Sequence, residues 1–154
     1  MSEQTTLMAL QTFFQNATTF PTLAGVYLDS PPLPFDGPYP IVVLEPDNQD
    51  QMTESQMSDY LVGYYRVRYF DELGDDPNNL TSVGVARAKA RAFAAATRNA
   101  LRANYTLGGA VGIAGKGNPG TRALYGAIQA MKDDSDLPIY EFVQLVLVRG
   151  LLES

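Results

Sequence analysis

The chain has 154 residues, with 45% hydrophobic and 18% charged side chains and a formal net charge of −6. It holds neither cysteine nor histidine. Disulfides, thiolate catalysis and cysteine-ligated metals are therefore excluded, and so are the usual general base near neutral pH and the commonest metal-ligating side chain.

A chain of this length suggests one domain, 1–154. No apolar run is long enough to span a membrane, and the N-terminus does not follow a basic region with an apolar core, so a soluble chain made without a signal peptide is expected. Charge is segregated. Between Pro77 and Lys132 lie eight of the eleven basic residues and none of the seventeen acidic ones. Two readings follow: arginines that solubilise an alanine-rich helix, or a face that meets an acidic partner.

Ser2 to Ala17 predicts an amphipathic helix with Leu7, Leu10, Phe14 and Ala17 on one face, capped by Ser2 and ended at Phe20-Pro21. Leu23 to Leu28 predicts a short strand, weakened at Gly25. The proline-rich run DSPPLPFDGPYP from Asp29 predicts a rigid extended connection anchored by Leu33, Phe35 and Tyr39. Ile41 to Glu45 is β-branched and predicts a strand stopped by Pro46. Pro46 to Ser58 is polar and without period, and reads as a mobile loop, 46–58.

Tyr60 to Phe70 alternates, with Leu61, Tyr65, Val67 and Tyr69 on one side and Tyr60, Val62, Tyr64, Arg66 and Arg68 on the other, as in a strand with one core face. Gly63 marks a bulge or a close approach of backbone. Asp71 to Asn79 is turn-rich.

Ser82 to Asn104 predicts the central helix. Ala86, Ala90, Phe93, Ala94, Thr97 and Leu101 share a face, while Arg87, Arg91, Arg98 and Arg102 form a second stripe about a quarter turn away. Alanine, the best helix former, dominates. Thr81 or Ser82 can cap its start, and Asn104 with Gly108-Gly109 can stop it. Residues 105–120 are glycine-rich and read as a hairpin or an arm. Thr121 to Lys132 has helical spacing at Leu124, Ile128 and Met131. Ile139 to Leu152 predicts a strand apolar on both sides, Ile139, Val143, Leu145 and Leu147 against Tyr140, Phe142, Val146 and Val148, with a core on one side and a subunit on the other. Together these elements predict an α+β fold: a small mixed or antiparallel sheet covered by a long central helix and an N-terminal helix.

No catalytic, cofactor-binding or metal-ligating set emerges. Gly115-Lys116 lacks the first glycine and the final hydroxyl of a phosphate-binding loop, having Ala110 and Gly117 there. Asp71, Glu72, Asp75 and Asp76, and likewise Asp133, Asp134 and Asp136, read as solvated turns rather than cation ligands. No serine or threonine has a histidine to activate it.

The order of elements, with Pro38-Tyr39-Pro40-Ile41-Val42-Val43-Leu44 leading to Pro46, resembles the tail-terminator (tail-completion) proteins of long-tailed bacteriophages. The resemblance spans roughly residues 3–103 and 138–152. It implies a structural, non-enzymatic virion protein of the tail or neck, made in the host cytoplasm, that forms a hexameric ring in head-tail joining. It also implies as partners the tail-tube protein and a head-completion or connector protein, with DNA passing through the lumen without sequence-specific binding and no membrane. Arg87, Arg91, Arg98, Arg102, Val146 and Val148 are the candidate subunit or partner interface. Another neck or baseplate component of similar fold, or a small carboxylate-dependent hydrolase, are the alternatives.

Overall fold

A computed structural model describes residues 3–31, 35, 37–55, 58–72, 80–109, 121–132 and 138–151. The elements in chain order are α1 (Glu3–Phe14), β1 (Gly25–Leu28), β2 (Ile41–Ser55), β3 (Ser58–Glu72), α2 (Leu80–Ala103), β4 (Thr121–Lys132) and β5 (Pro138–Leu151). The strands form one five-stranded sheet in the order β1-β2-β3-β5-β4. β1 runs parallel to β2; every other pairing is antiparallel. The fold is thus the expected α+β arrangement, a mixed sheet with one N-terminal helix and one long central helix.

Alternation along the strands makes the core. Val42 and Leu44 of β2, Tyr65, Val67 and Tyr69 of β3, and Phe142, Val146 and Val148 of β5 are buried beneath the helices. The register sets them side by side, with Tyr65 opposite Val146 and Tyr69 opposite Phe142. The helices contribute Leu7, Leu10 and Phe14 from α1, and Ala90, Phe93, Ala94 and Leu101 from α2. Phe93 ties the layers together: its ring stacks on Tyr69 at 4.7 Å and on Phe14 at 5.8 Å between centroids. Burying each such ring contributes a few kcal/mol, and the ring pairings add about 1 kcal/mol. The alanines of α2 let the helix approach closely enough for these rings to meet the sheet.

The opposite face of the sheet has a smaller cover. Ile41, Val43, Phe70 and Ile139 are buried there against Tyr27, Phe35 and Tyr39. The proline-rich connection folds back over this end, its peptide bonds before Pro38 and Pro40 both cis, and Phe35 packs edge-on against Tyr27 and Tyr39. This is the anchoring role expected of Phe35 and Tyr39. Gly25 is required for close approach: a Cβ there would lie 2.8 Å from the Tyr27 ring.

Several expectations are corrected. Pro46 does not end β2. The strand continues to Ser55, with a register shift between Pro46 and Asn48, so 46–55 is paired backbone rather than loop. Proline is tolerated at such a bulge because the ladder is already interrupted. The irregularity expected at Gly63 therefore lies across the ladder, in β2, whereas Gly63 itself pairs regularly with Gln49 and Val148. Thr121–Lys132 is a strand, not a helix. Pairing with the long β5 outweighs its weak helical spacing, as tertiary context commonly does. Its one register shift, between Tyr125 and Ile128, falls at Gly126. The central helix starts at Leu80, ahead of the caps expected at Thr81 or Ser82. It ends as expected: the Gly108 amide donates to Asn104 Oδ1 at 2.9 Å, and Gly108 and Gly109 take positive φ. The glycine-rich section beyond Gly109, including Gly115-Lys116, lies outside the described residues, as do Asp75, Asp76, Asp133, Asp134 and Asp136.

Candidate partner-binding surfaces

α2 presents three different sides. The first, Ala86, Ala90, Phe93, Ala94, Thr97 and Leu101, is buried on the sheet. The second consists of alanines, with Ala96, Ala100 and Ala103 lining two clefts shared with α1 and the turns that follow it. The third is the arginine flank: Arg87, Arg91, Arg98 and Arg102 are all exposed. The 3.6-residue period fixes this division, and the fold beneath the arginines is complete without them.

The two clefts are apolar. One, of about 550 Å³, lies between α1 and the C-terminal half of α2 and is lined by Ala9, Phe13, Ala100 and Leu107 among others. The other, of about 510 Å³, is floored by Phe20, Tyr69 and Phe93 and has Lys89 at its rim. Beside it the Tyr69 hydroxyl donates to Asp71 Oδ2 at 3.3 Å, Lys89 Nζ stands 3.5 Å from the same oxygen, and the Glu72 amide donates to Asp71 Oδ1 at 2.8 Å. Burial, and then the Asp71 carboxylate, push the Tyr69 hydroxyl well above the ordinary tyrosine range. Asp71, which reads from sequence as a solvated turn residue, is in fact buried and partnered.

On the far face of the sheet, charge replaces hydrocarbon. Arg66 Nη1 bonds Glu45 Oε1 at 2.9 Å, and Arg68 Nε bonds Glu141 Oε1 at 2.7 Å. Arg68 Nη1 also stands 3.9 Å from Glu45, and its guanidinium lies 5.0 Å from the centroid of Phe70. This ladder ties β2, β3 and β5 together across the sheet. Sequence alternation placed Arg66 and Arg68 on the outer face; their partners became visible only with the register. Val143 and Leu145 continue this face and are half-buried.

Val146 and Val148 sit on the helix side and are 0% exposed, packed in the subunit's own core. The residues that β5 offers to a partner are therefore Val143 and Leu145, from the other alternating set. A carboxylate-dependent hydrolase would need two acids facing a cavity. Glu45 and Glu141 face Arg66 and Arg68 instead, and neither lines the two clefts. Among the described residues, no group of three or more acidic side chains comes together as metal ligands.

No family model matches the chain, and no curated protein matches it. Among solved structures, a chain from the virion of a native gene transfer agent particle is similar over 94% of each chain, with 15% identity and a TM-score of 0.35.

Proposed function

We propose that this chain is a structural component of a virion or virus-like particle, and specifically a ring-forming tail terminator. In that role it would cap the tail tube and join it to the head connector. The observation that carries the reading is the arginine flank of α2. Arg87, Arg91, Arg98 and Arg102 stand exposed on a helix whose opposite side is wholly engaged in the core, so they serve contact rather than folding. The order of elements, helix, proline-rich turn, strand, hairpin, central helix and C-terminal strand, supports it as well.

In the ring, the arginines meet acidic residues of the neighbouring subunit. A wall that conducts DNA works best when it does not grip phosphate, whereas a joint between subunits gains specificity from opposite charges. Negative-stain images of the purified chain test this reading. Closed rings with a central hole are expected; single particles at every concentration overturn it. The joint is tested by Arg91→Glu with Arg98→Glu, which should disperse the rings and leave a folded monomer. Rings that persist in this variant, with steeply salt-dependent DNA binding by the wild type that the variant loses, would assign the stripe to the lumen instead.

A further inference from the structure

The sheet ends in two unlike edges. β1 pairs with β2 only over Ile41–Leu44. Among the described residues, the backbone of β2 from Glu45 to Ser55 therefore has no strand partner on that side. At the other end β4 is the last strand, and no described strand pairs with its outer edge. Long unpaired edges are templates for adding another strand, and soluble proteins usually cover, shorten or charge them. These two edges are of similar length and carry opposite charge. Glu45, Asp47, Asp50 and Glu54 lie in β2 with no basic residue among them, whereas β4 contains Arg122 and Lys132 and no acid. α1 lies over β1 and β2, and α2 lies along β4. The arginine flank, on the side of α2 away from the α1 clefts, therefore adds positive charge at the β4 end.

The ladders also fix height and direction. Thr121 pairs with Val148, Val148 with Gly63, and Gly63 with Gln49, so the start of β4 is level with the middle of the unpaired β2 edge. Three successive antiparallel pairings make β4 antiparallel to β2. Rotation of one copy onto the next about an axis along the strands would therefore set β4 beside β2 in the antiparallel sense.

We propose that β4 of one copy adds to the Glu45–Ser55 edge of β2 in a second copy, so that the sheet continues from subunit to subunit. The inference rests on the ring reading and supplies its joint. Two different edges make a head-to-tail contact, which closes into a ring when the rotation closes. Charge selects this pairing: β4 against β4 sets basic edges together and β2 against β2 sets acidic ones, so symmetric dimers are disfavoured.

The test uses two charge-reversed versions of the full chain. Thr121→Glu with Arg122→Glu makes the β4 edge acidic, and Asp47→Lys with Asp50→Lys makes the β2 edge basic. Each alone should need roughly tenfold or more protein to assemble, because like charges then face each other in every joint. Mixed one to one, they should regain wild-type assembly, since every joint in an alternating ring is then complementary. Rings in the wild type with no loss in either variant, or loss without recovery on mixing, overturn the edge pairing and leave the ring reading standing. A wild type that never assembles overturns both. Should circular dichroism show either variant unfolded, Gln49→Cys with Thr121→Cys in this cysteine-free chain replaces it, using a bismaleimide of about two strand spacings, ~10 Å. A ladder of cross-linked multimers from assembled protein supports the joint; assembled protein that yields only monomer overturns it.

Discussion

The two faces of this sheet are built from the same strands, one residue out of step. On the helix side, Val67, Val146 and Val148 are 0% exposed, and every neighbour is hydrocarbon or aromatic apart from the Thr97–Gln144 pair. On the far side, β3 contributes Arg66 and Arg68, β2 contributes Glu45 and β5 contributes Glu141, in a ladder whose arginine side chains keep 42% and 26% of their exposure. The first face folds the subunit by removing apolar area from water. The second is held by directional, partly solvated contacts that contribute less and leave room for another molecule. Folding and contact are thus divided between alternate residues of the same strands.

The largest effect that distinguishes the faces should come from Val146→Asp. A carboxylate there meets only core, costing several kcal/mol, and no soluble folded protein is expected. Circular dichroism and soluble yield measure this, and a stable variant would mean that the helix side is not dry. An intermediate effect is expected on the far side. Arg68→Met leaves Glu141, itself 5% exposed, without its 2.7 Å partner. Denaturant unfolding should show a loss of about 1–3 kcal/mol, and restoring neutrality with Glu141→Gln should recover part of it.

Tyr69 joins the core to a carboxylate, and its effect is expected only in alkali. Its folded pKa is raised by burial and by Asp71, so the folded state holds the phenolic proton more tightly than the unfolded chain does. That contribution is complete below the unfolded tyrosine pKa of about 10 and is lost as pH rises above it. Tyr69→Phe should therefore change stability at neutral pH by about 1 kcal/mol or less, and should flatten the alkaline decline. Equal alkaline slopes in the two proteins would contradict the assignment. The smallest effect on stability is expected for Arg91→Glu with Arg98→Glu, within about 0.5 kcal/mol, because both side chains are exposed on a flank the core does not use.

The sequence made most of the helix face legible, because hydrophobic period survives translation into burial. The α2 stripe, the alternation of β3 and the apolar side of α1 all pack as their spacing requires. What escaped it was decided by partners far away in the chain. β2 beyond Pro46 is polar, acidic and proline-containing, and is a strand because β3 pairs with it. Thr121–Lys132 has a faint helical period, and is a strand because β5 offers an edge. Val146 and Val148 look the same in sequence as Val143 and Leu145. Only the position of α2 tells which set is core and which is left for a partner. The Glu45–Arg66 and Arg68–Glu141 pairs span 21 and 73 residues of sequence, a separation at which spacing carries no signal.

The central claim, that folding occupies one set of surfaces and leaves a charge-complementary set for neighbouring copies, is tested most directly by the light-scattering mass of the wild-type chain across a salt series. The account predicts a defined multimer of the 16.8 kDa chain at low ionic strength. As salt screens the joint, this should give way to monomer with an unchanged circular dichroism spectrum. A monomer of constant mass at every salt concentration would contradict it.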